Sequence, residues 1–157
     1  MSTIDGLNIR RGRLSDMVTL AAYNIHLAME TEHLRLDPYA VSAGVRAALE
    51  DPSKGIYFVA DVAGRVIGQL MVTREWSDWR NGDIWWVQSV YVHPDFRKQG
   101  IFRALHAAAI AGAQDEGAAL LRLYVEQENA DAQAVYKKLG FATSPYRVME
   151  QKIERPA

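Results

Sequence analysis

One ten-residue stretch combines positive charge with a flexible backbone position at the start of a predicted helix. The segment FRKQGIFRAL, residues 96–105, carries Arg97, Lys98 and Arg103 around Gly100. Glycine lets a backbone approach a ligand closely, and a helix N-terminus presents unpaired N–H groups at the positive end of the helix dipole. These features suit an anion such as a pyrophosphate. They also fit a solvated basic loop that caps a helix, because charge with one glycine is weak evidence.

Several other kinds of chemistry are excluded by residue type. The stretch contains neither GxxxxGK nor GxGxxG, so it is not a Walker loop or a dinucleotide fingerprint. The chain has no cysteine, which excludes disulfides, cysteine-zinc sites and a thiol nucleophile. Ser89, His93 and Asp95 lie too close together along one strand end to form a triad. His26 and His33 are seven residues apart without a carboxylate cluster, so we expect no metal site.

Composition points to one ordinary globular domain. A length of 157 residues predicts a single domain over residues 1–157. Eighteen basic and 19 acidic residues give a net charge of −1, which argues against a general nucleic-acid binder. Without an apolar run of 18 residues or a signal-peptide pattern, we expect no membrane association and a cytoplasmic location.

Hydrophobic periodicity predicts the element order β-α-α-β-β-β-α-β-α-β. The predicted strands cover 7–11, 55–62, 65–76, 83–92, 119–126 and 146–153. The predicted helices begin at Leu14, cover 39–50, begin near Gln99 or Gly100, and cover 129–140. This order favours the α/β (α+β) class, with a mixed sheet that carries helices on its faces.

All four tryptophans fall within residues 74–86. Asn81-Gly82 predicts a tight hairpin turn inside this segment. Trp85 and Trp86 are adjacent on a strand, so they point to opposite faces and at most one of them faces a ligand. Acidic groups beside aromatic rings suit a cationic amine with an apolar body. A hairpin held by cross-strand aromatic pairs explains the same residues.

Two motifs carry a family resemblance. VYVHPDFRKQGIFRAL resembles motif A of the GNAT (GCN5-related N-acetyltransferase) superfamily, with Arg97 and Gly100 in place and Phe102 where a small residue is usual. ENADAQAVYKKLGF resembles motif B of the same family. The positions that match motif B are Asn129, Ala132, Tyr136, Gly140 and Phe141. The chain is therefore identified as a member of the GNAT superfamily.

The resemblance implies the GNAT fold, a mostly antiparallel central sheet with two splayed strands, and acetyl-CoA as cosubstrate without a metal. The pantetheine arm would bond main-chain groups of Val90 and Val92 as an added strand does. The N–H of Val90 would polarise the thioester carbonyl, and the amides from Arg97 to Phe102 would hold the pyrophosphate. The implied contacts are Val90, Tyr91, Val92, Arg97, Lys98, Gln99, Gly100, Ile101, Phe102, Arg103, Asn129, Ala132 and Tyr136.

The resemblance also implies roles in proton transfer. Tyr136 matches the tyrosine that protonates the departing thiolate, although packing on an apolar helix face explains it too. Many relatives have a glutamate where this chain has Gln88, which cannot act as a base. The alternative bases are Glu75, Asp78, Glu30 and Glu32. The predicted acceptor-binding residues are Glu30, Glu32, Trp79 and Gln88.

The resulting functional prediction is an N-acetyltransferase in which a small cationic or aromatic primary amine attacks acetyl-CoA directly in a ternary complex. One alternative is a non-catalytic module that binds an acyl-CoA. A second is a transferase that acts on protein N-termini or lysines, and a third, disfavoured by the net charge, acts on charged transfer RNA. The family often dimerises, but no residue pattern in this chain decides for or against a homodimer.

Overall fold

The computed structural model describes residues 4–156. Nine main elements are present: β1 (Leu7–Arg11), α1 (Met17–Glu32), α2 (Pro38–Glu50), β2 (Ile56–Val62), β3 (Arg65–Ser77), β4 (Gly82–Val92), α3 (Ile101–Glu116), β5 (Leu120–Leu123) and α4 (Ala130–Lys138). Short 3-10 turns at Leu14–Asp16 and Pro94–Phe96 precede α1 and α3. The chain forms two compact units, one ending at Tyr124 and one beginning at Val125, and each is described by itself.

The first unit is built on a five-stranded sheet. Its spatial order is the chain order from β1 to β5, with antiparallel neighbours except for the parallel pair β4 and β5. Short turns join β2 to β3 and β3 to β4, whereas α1 and α2 lie between β1 and β2. Helix α3 supplies the crossover that the parallel pair β4 and β5 needs. The predicted fold class and the hairpin at Asn81, whose φ is +50°, are confirmed.

Two hydrophobic cores lie on opposite faces of the sheet. One face packs against α3 through Phe58, Trp85 and Leu105, and the other packs against α1 and α2 through Leu20 and Val45. Strand β2 is buried along nearly its whole length because helices cover both of its faces.

Two glycines let α3 approach the sheet closely. A Cβ added at Gly68 would lie 3.0 Å from Cγ2 of Ile101, the first residue of α3. A Cβ added at Gly112 would lie 3.3 Å from the rings of Phe58 and Trp85. The depth at which α3 sits therefore depends on the absence of a side chain at both positions.

A half-buried ion-pair cluster ties β1, β2 and the start of α1 together. The Arg10 guanidinium donates to both carboxylate oxygens of Asp16, at 2.8 and 2.9 Å, and to Asp61 at 3.0 Å. Burial alone would raise the pKa of Asp16, but hydrogen bonds from Arg10 and from the Arg13 amide outweigh it and hold that pKa below its usual range. The carboxylate is therefore ionised at neutral pH and holds the entry of α1 against the sheet.

Two predictions about strands are corrected. Residues 146–153 form no strand, because the five-stranded sheet of the described residues does not include them and an extended segment needs a hydrogen-bonded neighbour to be a strand. Strand β5 ends at Leu123 rather than near residue 126, because its pairing with β4 ends there. The single domain over 1–157 stays a prediction. No helix within residues 4–156 is long and apolar enough to cross a membrane.

Candidate functional site

Strands β4 and β5 pair over only part of their length. The parallel ladder joins Ile84–Val87 of β4 to Leu120–Leu123 of β5. Strand β4 continues for five residues, Gln88–Val92, and within the first unit no strand pairs with them on the β5 side. Apart from the Val92 carbonyl, which accepts from the Arg97 side chain, backbone groups along this edge can pair with a ligand that binds as an added strand does.

A β-bulge interrupts β4 where this edge begins. Met71 pairs with Gln88 and Gln69 pairs with Tyr91, so three steps on β4 oppose two on β3. Ser89 absorbs the extra residue with a φ of +53°, a left-handed conformation that a residue other than glycine adopts at a cost. The bulge therefore lies directly beside the unpaired edge.

The bulge inverts the alternation of side chains along β4. Trp85 and Val87 before it and Val90 and Val92 after it all belong to or pack against the core beneath α3. Tyr91 belongs to the opposite core. In an uninterrupted strand, side chains alternate with period two, so the pair before the bulge and the pair after it would lie on different faces.

The loop before α3 has the backbone geometry of an anion site. Lys98 and Gly100 have φ values of +61° and +81°, and Gly100 is the N-cap of α3. The first helical hydrogen bond runs from the Ala104 N–H to the Gly100 carbonyl at 3.1 Å. The preceding amides of Ile101, Phe102 and Arg103 therefore have no acceptor within the helix. Left-handed residues and a helix N-terminus together favour phosphate binding.

The Arg97 side chain turns away from this loop. Its guanidinium donates to the Val92 carbonyl at 2.8 Å and to the Glu30 carboxylate at 2.9 Å. It also lies 5.2 Å from the centre of the Tyr91 ring, whose hydroxyl donates to Glu30 at 3.3 Å. Arg97 and Glu30 thus connect the end of β4 to α1 in this structure.

A cavity of about 450 Å³ lies between α1, α2 and the sheet. Most of its wall is apolar and comes from Leu27, Ala28, Leu34, Leu36, Val41, Val45 and Met71. Ser89 of the bulge lines it, which places the cavity beside the unpaired edge of β4. The cavity therefore lies where an acceptor would meet a group bound along that edge.

Polar side chains connect the cavity to the bulge. The Asn24 amide donates to the Tyr57 hydroxyl at 3.1 Å, and both residues line the cavity. Burial raises the pKa of Tyr57, and the Asn24 hydrogen bond only partly offsets this, so the phenol stays neutral at physiological pH. The Gln69 amide donates to Asn24 Oδ1 at 2.6 Å and to the Ser89 carbonyl at 2.9 Å.

The four carboxylates proposed as bases lie in different environments. Glu32 lines the cavity, whereas Glu30 pairs with Arg97. Glu75 pairs with Arg122 at 3.3 Å and accepts from the indole of Trp86 at 3.1 Å. Asp78 lies in the turn after β3. Among these four residues, the structure brings only Glu32 to the cavity.

Gln88 and Trp79 lie at different distances from the bulge. Gln88 adjoins it, and its amide donates to the Thr73 hydroxyl at 2.6 Å. Trp79 is 88% exposed in the hairpin turn, beyond Ser77. Six residues separate Ser77 from Met71 beside the bulge, about 20 Å of extended strand. The structure therefore does not bring Trp79 together with the other predicted acceptor-binding residues.

The four tryptophans lie in different environments. Trp85 is fully buried under α3, and Trp86 lies on the other face of β4, 4.5 Å from the Tyr124 ring between centres. The prediction that one of the pair is core is confirmed. Trp76 is exposed like Trp79, so neither hairpin core nor a single aromatic wall describes all four.

In the second unit, the motif-B residues build the two ends of α4. Asn129 is the N-cap, and its side chain accepts from the Ala132 N–H at 3.1 Å. At the other end, the Phe141 N–H donates to the Tyr136 carbonyl at 3.0 Å, and Gly140 has a φ of +100°. This is a Schellman cap, in which the residues that flank the cap also pack together.

The same cap orients the tyrosine. The Tyr136 and Phe141 rings meet edge to face, with centres 5.9 Å apart. Burial raises the pKa of Tyr136, so its phenol keeps its proton at neutral pH. The side chain is therefore both a packing element of α4 and a protonated group suited to general-acid chemistry.

Sequence reasoning missed the polar group formed by Asn24, Tyr57, Gln69 and Ser89. Gln69 could have been found from the sequence, because it is a polar residue within the apolar run VIGQLMV of a predicted strand. The bulge at Ser89 could not have been found from the sequence, because serine is ordinary in a strand and only the pairing register reveals the extra residue.

The chain belongs to the acetyltransferase (GNAT) family, whose family model matches residues 20–141. A Mycobacterium tuberculosis protein described as an uncharacterized N-acetyltransferase is 33% identical over 116 residues, which cover 73% of this chain and 70% of that protein. A Methanocaldococcus jannaschii protein of the same description is 35% identical over 86 residues, which cover 54% of this chain. That alignment covers 38% of the archaeal protein, so this chain spans well under half of it.

Solved structures share the fold. A possible acetyltransferase from Clostridium difficile 630 superposes with a TM-score of 0.91 at 41% identity, covering 96% of this chain and 100% of that one. A predicted acetyltransferase from Clostridium acetobutylicum, solved with acetyl-CoA, has a TM-score of 0.77 at 15% identity and covers 92% of this chain and 96% of its own. At that identity the likeness concerns the fold alone. The predicted family and fold class are thus confirmed.

Proposed function

We propose that this protein is an acetyl-CoA-dependent N-acetyltransferase whose acceptor is a small primary amine with a cationic head and an apolar body. The observation that carries the proposal is the unpaired edge of β4, Gln88–Val92, which leads to the amide-lined start of α3. A ligand with an extended arm that ends in a pyrophosphate matches a strand edge followed by helix N-terminal amides. The names of the relatives support the same reaction class.

The donor side is formed by backbone groups. The edge at Val90 and Val92 binds the pantetheine arm, and the amides from Lys98 to Arg103 bind the pyrophosphate. Acetyl-CoA supplies the acetyl group as an activated thioester. The N–H of Val90 donates to the thioester oxygen as negative charge develops on it, which stabilises the transition state. We also propose that Asn129 and Ala132 contact acetyl-CoA.

The acceptor side is the cavity between α1 and α2. Its apolar wall accommodates the body of the amine, and Glu32 pairs with the ammonium group at the opening. A lysine-like amine has a pKa of about 10.4, so it must lose a proton before it attacks. Glu32 is the carboxylate that we assign to draw this proton away, directly or through water. Gln88, Trp79 and Glu30 remain weaker candidates for acceptor contact.

The amine attacks the thioester carbon while both substrates are bound. The C–N bond forms, the C–S bond breaks, and the sulfur leaves as a thiolate that takes a proton from Tyr136. The chain has no cysteine, so no acyl-cysteine intermediate is formed on this chain. The new amide nitrogen releases its extra proton to solvent, and Tyr136 is reprotonated from solvent.

Thiol release from acetyl-CoA tests this function across polyamines, aminoglycosides, amino acids, arylalkylamines and short peptides. We expect release with monoamines that carry an aliphatic or aromatic body and little release with highly charged polyamines, because most of the cavity wall is apolar. Release only with peptides would favour a protein acceptor. Tight acetyl-CoA binding without release from any amine would favour the acyl-CoA-binding module.

Glu32→Gln tests the acceptor assignment, with Glu50→Gln as a matched control. Each residue is the last of its helix, and Glu50 pairs with Arg46 rather than lining the cavity. A partly exposed ion pair contributes up to about 1 kcal/mol, so loss of the Glu32 carboxylate should raise KM for the amine about fivefold. Glu50→Gln should leave KM unchanged, and equal effects of both variants would reject the assignment.

A further inference from the structure

We propose that Gln69 is a positioning residue that aims the Val90 N–H into the gap between β4 and β5. Its side-chain amide donates to the Ser89 carbonyl at 2.9 Å. That carbonyl and the Val90 N–H belong to the same peptide unit. This inference rests on the proposed function, because Val90 is the group that the proposal places on the thioester oxygen.

The geometry of a trans peptide relates the direction of the Ser89 carbonyl to that of the Val90 N–H. No cis bond is present among the described residues, so the C=O of Ser89 and the N–H of Val90 point in opposite directions. A donor that holds the carbonyl on the β3 side therefore directs the N–H away from β3. On that side β4 has no partner beyond Val87 within the first unit.

The β3–β4 register gives this peptide unit no residue opposite it. The register passes from Gln88 to Tyr91, and neither Ser89 nor Val90 has a Cα partner in it. The Gln69 side chain supplies a hydrogen bond to the Ser89 carbonyl at this interruption of the register.

The burial of Gln69 supports a role other than packing. The residue is fully buried, and its Oε1 has no hydrogen-bond partner among residues 4–156. A buried polar atom without a partner is unfavourable, and an apolar side chain of the same length avoids that cost. Its Nε2 is held in place by a second bond to Asn24 at 2.6 Å. Glutamine at this position therefore leaves one buried acceptor without a partner while its amide serves two acceptors.

Gln69→Met tests the inference, because methionine keeps the length and removes both hydrogen-bonding groups. Gln114→Met, an exposed position on α3, controls for the substitution itself. Removal of one oxyanion donor typically lowers kcat by 10²–10³-fold, so a misdirected donor should lower it roughly tenfold. KM for the amine and the Kd of free CoA should stay unchanged, whereas the preference for acetyl-CoA over CoA should fall.

Nuclear magnetic resonance supplies a readout that needs no turnover. Loss of the hydrogen bond should shift the Ser89 carbonyl carbon and the Val90 amide nitrogen, while Tm changes by no more than about 3 °C. If Gln69→Met does not fold, Gln69→Leu tests the same loss with a smaller side chain. Unchanged kcat and unchanged Ser89 and Val90 signals in a folded variant would overturn the inference. A wild-type protein that releases no thiol with any amine would reject the proposed function instead, and the resonance shifts would still test the contact.

Discussion

Tyr136 is the residue on which the proposed proton transfer depends. Tyr136→Phe removes the hydroxyl and keeps the ring that packs on Phe141 in the Schellman cap. General-acid catalysis contributes about 10²–10⁴-fold, so kcat should fall at least about 100-fold. The Kd of acetyl-CoA and Tm should change little. Stopped-flow and calorimetric measurements of the variant check this, and an unchanged kcat would assign Tyr136 to packing alone.

The pH dependence of kcat follows from the same residue. Burial raises the pKa of Tyr136, and the active form is the protonated phenol. The contribution of Tyr136 to kcat should therefore be fully present at neutral pH and should be lost only as pH rises above about 10, the ordinary tyrosine value. This alkaline decline should disappear from the residual activity of Tyr136→Phe. A decline with a midpoint near neutral pH that the variant retains would belong to another group.

Residue types alone predicted some of the site and missed other parts of it. Arg97 was predicted from its charge, and its pairing with Glu30 is visible only in the structure. Its role in CoA binding stays a prediction. Glu30 and Glu32 are two residues apart on a helix and so face different directions. The sequence therefore offered both glutamates as candidate bases. The packing of α1 distinguishes them, because it places Glu32 at the cavity and Glu30 beside Arg97.

At the scale of elements, the approach of α3 to the sheet sets the position of the anion-binding loop. Gly68→Val places a side chain where a Cβ already lies 3.0 Å from Ile101. We expect a loss of stability of about 1–3 kcal/mol from overpacking. We also expect weaker CoA binding, since the first turn of α3 must shift. Thermal unfolding and calorimetric titration measure the two effects.

Gly44→Ala is the matched control for that prediction. Gly44 lies inside α2, and nothing lies within 4 Å of an added Cβ. Alanine should stabilise the helix by about 1 kcal/mol and leave CoA affinity unchanged. Similar CoA affinities for Gly68→Val and Gly44→Ala would show that the depth of α3 does not control the loop.

Element types and most boundaries were predictable where periodicity is strong: β1 was predicted at 7–11 and lies at Leu7–Arg11, and β4 was predicted at 83–92 and lies at Gly82–Val92. The hairpin followed from Asn81-Gly82, and α4 was predicted from a spacing whose capping contacts only the structure shows. The bulge at Ser89 depends on pairing with β3, which no local pattern encodes. The strand predicted over 146–153 is absent, because a strand needs a hydrogen-bonded neighbour, which the local sequence does not specify.

At the scale of the whole molecule, the Arg10 cluster should dominate the acid sensitivity of stability. Asp16→Asn leaves Arg10 without its bidentate partner, which should lower the free energy of unfolding by about 3 kcal/mol at neutral pH. The folded-state pKa of Asp16 lies below its unfolded value. Its contribution is therefore present above pH about 4 and is lost as pH falls further.

Urea denaturation from neutral to acidic pH measures this effect. The stability curves of the wild type and Asp16→Asn should converge as pH falls below about 4. Asp115→Asn, at an exposed position of α3, should follow the wild type throughout. A constant difference between wild type and Asp16→Asn at every pH would show that the amide disturbs packing rather than charge pairing.

The central claim is that an acetyl group passes from acetyl-CoA to an amine on this chain. The most direct measurement incubates the protein with acetyl-CoA and the best amine of the panel, and quantifies both free thiol and acetylated amine. We expect equal amounts of the two products, both dependent on the amine and both greatly reduced in Tyr136→Phe. Thiol released without acetylated amine, or no product with any amine, would contradict it.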